Sequence, residues 1–171
     1  PDYAITPNDI AQGAARLGAD PAAVWAVYEG ESSGSAFVNG RPTILFEPHR
    51  FSRSTAHTFD KSHPKISSRT WNKSLYPGSQ SGRYAQLMEA VALDVDAGFK
   101  SASYGGFQIL GENYKVCGAP DPWSFAWRQA QTEGDQLDAF VSFVEGNGLA
   151  GAPRRRDWAA FARDYNGSAY R

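Results

Sequence analysis

The chain has 171 residues, of which 42% are apolar, 13% aromatic and 20% charged; this suffices for one globular domain with its own core and excludes a disordered tail. Seventeen basic against eighteen acidic side chains leave a net charge of -1, which argues against bulk attraction to nucleic acid. A single cysteine, Cys117, excludes an internal disulfide framework and a cysteine-built zinc site, and no apolar run approaches the roughly 20 residues of a membrane span.

Thr6-Pro7-Asn8-Asp9 reads as an N-cap, a proline at the first helical position and an acidic residue in the first turn. The helix it opens runs through Ile10, Ala14 and Leu17 and stops at Gly18. Asp20-Pro21 repeats the start signal. The second helix places Val24, Val27, Tyr28 and Glu31 at i, i+3, i+4 and i+7 before Ser32-Ser33-Gly34 breaks it. Glu31 therefore falls on the apolar face at the C-terminal end of that helix, whereas Glu29 points about 160° away and reads as solvated. After Gly40-Arg41-Pro42, the run Thr43-Ile44-Leu45-Phe46 predicts a short extended element that ends in Glu47-Pro48.

Residues 49–83 are polar and Ser-rich and read as one or two short helices and a long loop, of the kind that is functional or partly disordered. Tyr84, Leu87, Met88, Val91 and Val95 form the longest helical stripe. Ser103-Tyr104-Gly105-Gly106-Phe107-Gln108-Ile109-Leu110 reads as a glycine-marked entry into a short helix. A further helix carries Leu137, Phe140, Val141 and Val144, with Gly146 and Gly148 as stops. The last begins near Asp157, carries Trp158, Phe161 and Ala162, and leads into Tyr165-Asn166-Gly167. The expected fold is mainly α, one domain over residues 1–171, with a small β element near residues 41–48.

The near-neutral total conceals a segregation. Residues 1–48 and 84–151 are acidic, while residues 49–83 carry seven basic side chains, only Asp60 as an acid, and all three histidines, His49, His57 and His63. Such a block either faces an anionic partner, an anionic outer-membrane surface included, or is a solvated basic face. His57 and His63 lack the helical spacing of metal ligands and no third ligand is apparent, so no metal is expected. Cys117 reads as a small buried residue. Trp71, Trp123, Trp127 and Trp158 are candidates for stacking on sugar rings, with Trp158 better suited to the core.

Two carboxylates carry the chemistry. Burial on an apolar helix face and the negative end of the helix dipole both disfavour the ionised form of Glu31. An acid kept protonated near neutral pH is what cleavage of a glycosidic bond requires. The alternative is a helix-terminal glutamate that reaches solvent or pairs with Arg41. Glu47, ending the extended run, can face it across a cleft as base, nucleophile or electrostatic stabiliser, or can pair with Arg41 or Arg50 and hold the turn.

Glu31-Ser32-Ser33-Gly34 resembles the Glu-Ser signature of goose-type lysozymes and lytic transglycosylases. Ser103-Tyr104-Gly105-Gly106-Phe107-Gln108-Ile109 is similar to their second signature, and Tyr165-Asn166-Gly167 to their third, with Ser168 where a proline is common. More closely, Val27 through Gly34 together with Gly40-Arg41-Pro42-Thr43-Ile44-Leu45-Phe46-Glu47-Pro48-His49-Arg50-Phe51 resembles the N-acetylmuramidase family of phage endolysins. The resemblance runs from the first helix to Tyr165. It implies a lysozyme-like helical domain that cleaves the β-1,4 bond between N-acetylmuramic acid and N-acetylglucosamine in peptidoglycan. Glu31 is then the catalytic acid, Glu47 a candidate second catalytic group, and Ser103, Gln108, Tyr165 and Asn166 substrate contacts.

A lytic transglycosylase leaving anhydro-muramic acid ends, or a glycan-binding module without catalysis, are the alternatives on the same scaffold. A DNA-binding helical domain using residues 49–83 would instead show salt-dependent DNA affinity. No cofactor and no nucleic-acid partner are expected, and the chain is expected to act as a monomer. With Met88 as the only methionine and no leader visible, something upstream of Pro1 is expected to have been removed. Family members often carry a peptidoglycan-binding domain there. The resemblance places synthesis in a bacterial host cytoplasm without a signal peptide and action on the cell wall.

Overall fold

The computed structural model describes residues 3–31 and 35–147. Helix α1 (Pro7–Leu17) begins with a reciprocal cap: the Thr6 hydroxyl accepts from the Asp9 amide at 3.1 Å, and the Asp9 carboxylate accepts from the Thr6 amide at 2.9 Å. It ends at Gly18 in the left-handed conformation, φ 62°. Helix α2 (Pro21–Glu31) follows at once. Its Val24 and Val27 are buried, and Glu29 is exposed as expected.

A hairpin follows, of β1 (Phe37–Val38) and β2 (Arg41–Pro42), closed by Asn39 and Gly40 with φ of 53° and 75°. Two positive φ values in a two-residue loop match the right-handed twist of the strands, and Asn-Gly supplies them at least cost. Strand β3 (Ile44–Phe46) confirms the extended element and feeds directly into α3 (Pro48–Ser54).

The basic block is built as expected of its length, from α3, a chain of turns and one 3-10 turn at Lys73–Leu75. A polar segment of this kind is held by local hydrogen bonds. The Asp60 carboxylate accepts from the Ser52 hydroxyl at 2.7 Å and the Ser67 hydroxyl at 2.6 Å. Burial raises its affinity for a proton, but the Ser67 and Ser52 hydrogen bonds, with His57 and Arg69 nearby, outweigh that and hold it below the ordinary range. Of the seven cations, Arg53, Lys61, Lys65, Arg69 and Lys73 are exposed. Arg83 turns inward to the Ile44 carbonyl at 3.2 Å, and Arg50 to two carboxylates described below.

The long stripe is two helices. Asp94 ends α4 (Gln80–Leu93), and its side chain accepts from the Ala97 amide at 2.9 Å to cap α5 (Val95–Lys100). An aspartate beats the apolar periodicity because it satisfies an otherwise orphaned helix donor. The segment expected to enter a helix at 103–110 is instead a strand pair, β4 (Ala102–Tyr104) and β5 (Ile109–Leu110), joined by residues 105–108. The glycines there make a turn, and the apolar residues on either side pair across it.

Helix α6 (Pro122–Gln129), not anticipated from the sequence, opens with the Asp121 carboxylate accepting from the Ser124 amide at 2.7 Å. The expected helix through Leu137 and Val144 is α7 (Glu133–Gly146). The expected helix after Asp157, with Trp158, Tyr165 and Asn166, lies outside the described residues.

The core joins both halves. Helices α1, α2 and α7 pack together, and the Phe107 ring stacks on Phe140 of α7 at 4.4 Å, carrying that layer onto the β4–β5 turn. Strand β3 lies beside β4, with Ile44 opposite Tyr104 and Phe46 opposite Ala102, all buried toward α4, α5 and α6. Cys117 is 6% exposed, as expected of a small core residue.

Burial pushes the Tyr76 and Tyr84 hydroxyls and the Cys117 thiol up to about 12, and raises Tyr28 and Tyr104 as well. These groups ionise earlier in the unfolded chain than in the folded one. The stability they contribute is therefore complete below the unfolded values and is lost as pH climbs toward 12. A spectrophotometric tyrosine titration should show these phenols ionising together with unfolding and not before it, and the denaturant midpoint should fall steadily above pH 10.

Candidate active site

Strand β3 alternates. Ile44 and Phe46 point into the core, while Thr43, Leu45 and Glu47, half-buried, lie on the other face. The ladder bonds run between the odd positions: the Gly105 amide donates to the Thr43 carbonyl at 2.8 Å, and the Glu47 amide to the Ser101 carbonyl at 2.9 Å. Ser103 pairs with Leu45 on one side and Leu110 on the other. The outward face thus forms a floor with Thr43 at one end, Leu45 and Ser103 in the middle and Glu47 at the other end. From Thr43 to Glu47 is about 13 Å along the strand.

The free edge of β3 is closed by Gln80, whose Oε1 accepts from the Ile44 amide at 2.9 Å and whose Nε2 donates to the Ile44 carbonyl at 3.1 Å. A side-chain amide here takes the backbone groups that a further strand would pair with.

Helix α2 ends at Glu31, and the chain resumes at Ser35 beside the Thr43 end of the floor. The chain leaving the helix is tied to β3 twice: the Thr43 hydroxyl donates to the Ser35 carbonyl at 2.6 Å, and the Thr43 amide to the Ala36 carbonyl at 3.1 Å. Tyr28, one turn before Glu31, fixes the last turn of the helix. Its ring meets Phe107 edge-on at 5.8 Å, and its hydroxyl donates to Glu133 at 3.1 Å, an oxygen that also accepts from the Ile5 amide at 2.7 Å. Desolvation first, then the Glu133 charge and this hydrogen bond, raise the Tyr28 hydroxyl well above its ordinary value. The last turn of α2 carries no basic residue to offset the helix dipole.

Gln108 closes the Thr43 end. It adopts φ 49°, and its Nε2 donates to the Gly105 carbonyl at 2.8 Å and to the Thr43 carbonyl at 3.2 Å. Its amide therefore braces the turn against β3 and leaves Oε1 as an acceptor. Ser103 is 7% exposed on the floor itself. Tyr165 and Asn166 lie outside the described residues.

At the other end Glu47 forms the ion pair that is one of its two expected roles. Arg50 Nε donates to Glu47 Oε2 at 2.7 Å, and Arg50 also bonds Glu112. Arg41 takes no part; its guanidinium lies over the Tyr84 ring at 4.0 Å. Glu47 Oε1 has no hydrogen-bond partner among the described residues. Burial lowers the pKa of His49 beside it, against the opposing pull of the Glu47 charge.

Three supporting residues escaped the sequence reading. Gln136, buried within the apolar face of α7, accepts from the Gly106 amide at 3.0 Å and donates to the Gln129 carbonyl at 3.0 Å. A glutamine within an otherwise apolar helical stripe was the available signal. Gln80 and Glu112 left none, since exposed-looking polar residues in a polar context carry no pattern.

Trp123 and Trp127 stack on one another at 6.3 Å and line an apolar groove of about 220 Å³ with Tyr104, Met88 and Phe99. Tyr104 turns away from the floor, so this groove is separate from it. Among the described residues no group of three metal-binding side chains occurs, and no helix is long and apolar enough to cross a membrane.

A family model described as N-acetylmuramidase matches residues 20–171. Among solved structures, the crystal structure of the Burkholderia AP3 phage endolysin superposes with a TM-score of 0.87 at 35% identity. The match covers 97% of this chain and 64% of that one, so the chain spans 64% of the length of that protein. The mainly helical architecture with small antiparallel sheets is accordingly the lysozyme-like one that the sequence motifs implied. No curated protein matches the chain.

Proposed function

The chain belongs to the N-acetylmuramidase family, and we propose that it hydrolyses the β-1,4 bond between N-acetylmuramic acid and N-acetylglucosamine in bacterial peptidoglycan, with Glu31 as general acid. One observation carries this reading. The chain leaving the Glu31 end of α2 is bonded through Ser35 to the hydroxyl of Thr43, on the same sheet face that carries Glu47. The chain that follows the helix and the second carboxylate therefore share one floor, which supports the reading.

Glu31 protonates the glycosidic oxygen, and positive charge develops at the anomeric carbon of the muramic acid as that bond breaks. A water then adds to this carbon and gives up a proton. Glu47, with Oε1 unengaged, is the base on the floor, and Ser103 and Gln108 Oε1 supply polar contacts nearer Thr43. The products are a reducing muramic acid end and a free 4-hydroxyl on the glucosamine. Tyr165 and Asn166 complete the substrate contacts by the resemblance alone. A peptidoglycan substrate in turn means that the protein acts on the cell wall.

Mass spectrometry of a peptidoglycan digest tests the reaction. Hydrolysis predicts reducing muramic acid ends. Anhydro ends, lighter by one water, would reassign the chain to transglycosylation, where the sugar's own hydroxyl attacks and Glu47 is not needed. Absence of any cleaved glycan would leave only a binding module.

A further inference from the structure

The floor does not stop at Glu47. The segment after residue 67 returns across the start of α3, where the Ser68 amide donates to the Pro48 carbonyl at 3.3 Å. It is held from behind by Gln86, whose Nε2 donates to the Leu75 carbonyl at 2.7 Å and the Lys65 carbonyl at 3.2 Å. Asn72 caps the 3-10 turn by accepting from the Ser74 amide at 3.0 Å. These bonds fix Tyr76 beside the carboxylate end of the floor, its hydroxyl 3.5 Å from His49 Nδ1. Burial and then the Glu47 charge push that hydroxyl up to about 12, against an opposing hydrogen bond from Trp71 and the Arg50 charge.

Trp71 is tilted on the Tyr76 ring at 6.1 Å and is 62% exposed. An indole this open would ordinarily be a loose surface side chain. Here it precedes a capped 3-10 turn and packs beside the Tyr76 phenol, whose hydroxyl reaches the His49 imidazole. A flat apolar face rimmed by such groups matches a pyranose ring, whose C–H face packs on an aromatic while its hydroxyls and acetamide meet polar partners.

We infer that Trp71 and Tyr76 form a distal sugar subsite, in which the Trp71 indole stacks on a further N-acetylhexosamine ring of the glycan strand beyond Glu47. This rests on the peptidoglycan reading above and extends the same floor. The subsite grips the strand remote from the bond being cleaved, so it acts on binding and not on the chemical step. Trp123 and Trp127, also exposed, have no such place, because their groove opens away from the floor.

The test uses soluble, uncross-linked peptidoglycan glycan strands fractionated by length. Trp71→Ala should raise KM about tenfold on long strands with kcat changed less than about twofold, the size a single stacked aromatic contact supplies. Trp71→Phe, which keeps a ring, should recover most of the loss. The penalty should vanish on the shortest strands that are still cleaved, since these do not reach the subsite. Trp123→Ala should leave KM on long strands as in the parent protein. An unchanged KM for Trp71→Ala on long strands, or one raised equally at every length, overturns the inference. Failure of the parent protein to cleave any strand would overturn the functional reading instead, and the two failures are told apart in one experiment.

Discussion

Glu31→Gln is expected to lower peptidoglycan cleavage by about 10²–10⁴-fold, the range that a positioned proton donor contributes. The substitution keeps size and hydrogen-bonding capacity and removes only the transferable proton. Three features favour Glu31 for the proposed acid role. The residue ends an eleven-residue helix, where the dipole is negative and disfavours a carboxylate. No basic side chain in the last turn counters it. The backbone on both sides is pinned, by Tyr28 to Glu133 and Phe107 before the residue, and by Ser35 and Ala36 to Thr43 after it.

The fold should be indifferent, since the bonds that pin this region are made by Tyr28, Glu133, Ser35, Ala36 and Thr43. The measurement is turbidity loss of purified cell walls beside a thermal melt. Residual activity above about a tenth of the parent, with an unchanged melt, would remove Glu31 from the acid role. Glu47→Gln in the same assay separates the two functions of that residue. A base that activates water lowers kcat when lost, whereas a carboxylate that only anchors Arg50 affects the melt and spares kcat.

What could be read in the sequence followed from periodicity and caps. The capping box at Thr6 and Asp9, the stop at Gly18 and the apolar face carrying Val24 and Val27 are local decisions, and the structure repeats them. The strand before Glu47 was legible for the same reason. The Asn39-Gly40 hairpin escaped the sequence reading, because two-residue strands on either side are too short to show alternation. Helix α6 hid because its buried face consists of Phe125, Ala126 and Gln129, while Trp123 and Trp127 face outward. A helix whose largest apolar residues are exposed inverts the usual signal.

The misread segment was 103–110. Glycines followed by Phe107, Gln108, Ile109 and Leu110 fit a helix start locally, and what decides otherwise is distant: β3 lies alongside, offering a ladder to Ser103 and Gly105. The candidate site divides along the same line. Glu31 and Glu47 were legible because each ends an element. That Thr43 ties the two together, that Arg50 links Glu47 to Glu112, and that Gln136 braces the turn from α7 are consequences of residues far apart in the chain.

Gly105→Ala should be the most damaging small substitution in the site, costing about 3 kcal/mol of stability and roughly 6–12 °C in Tm for a chain of this length. Gly105 adopts φ 77°, which disfavours any residue with a Cβ by about 1–2 kcal/mol. A Cβ there would also lie 2.5 Å from the Gln136 amide. Gln136 is 2% exposed and has no room to retreat without releasing the Gly106 amide and the Gln129 carbonyl, each buried group left unpaired costing about 1–3 kcal/mol.

Gly40 provides the control. It has nearly the same φ, 75°, but open space where its Cβ would stand, so Gly40→Ala should cost only the backbone share, about 1–2 kcal/mol. The difference between the two melts measures the Gln136 contact. Activity should separate them further. The turn from Gly105 presents Gln108 and donates its first amide to Thr43, the residue that also receives the chain leaving Glu31. A shift of the turn therefore moves Thr43 and the chain that follows α2, and with Glu31 as the proposed acid kcat should fall in Gly105→Ala at temperatures where the protein is fully folded. Gly40→Ala should keep its kcat; equal losses in the two variants would mean that the turn supports the fold and not the geometry of the site.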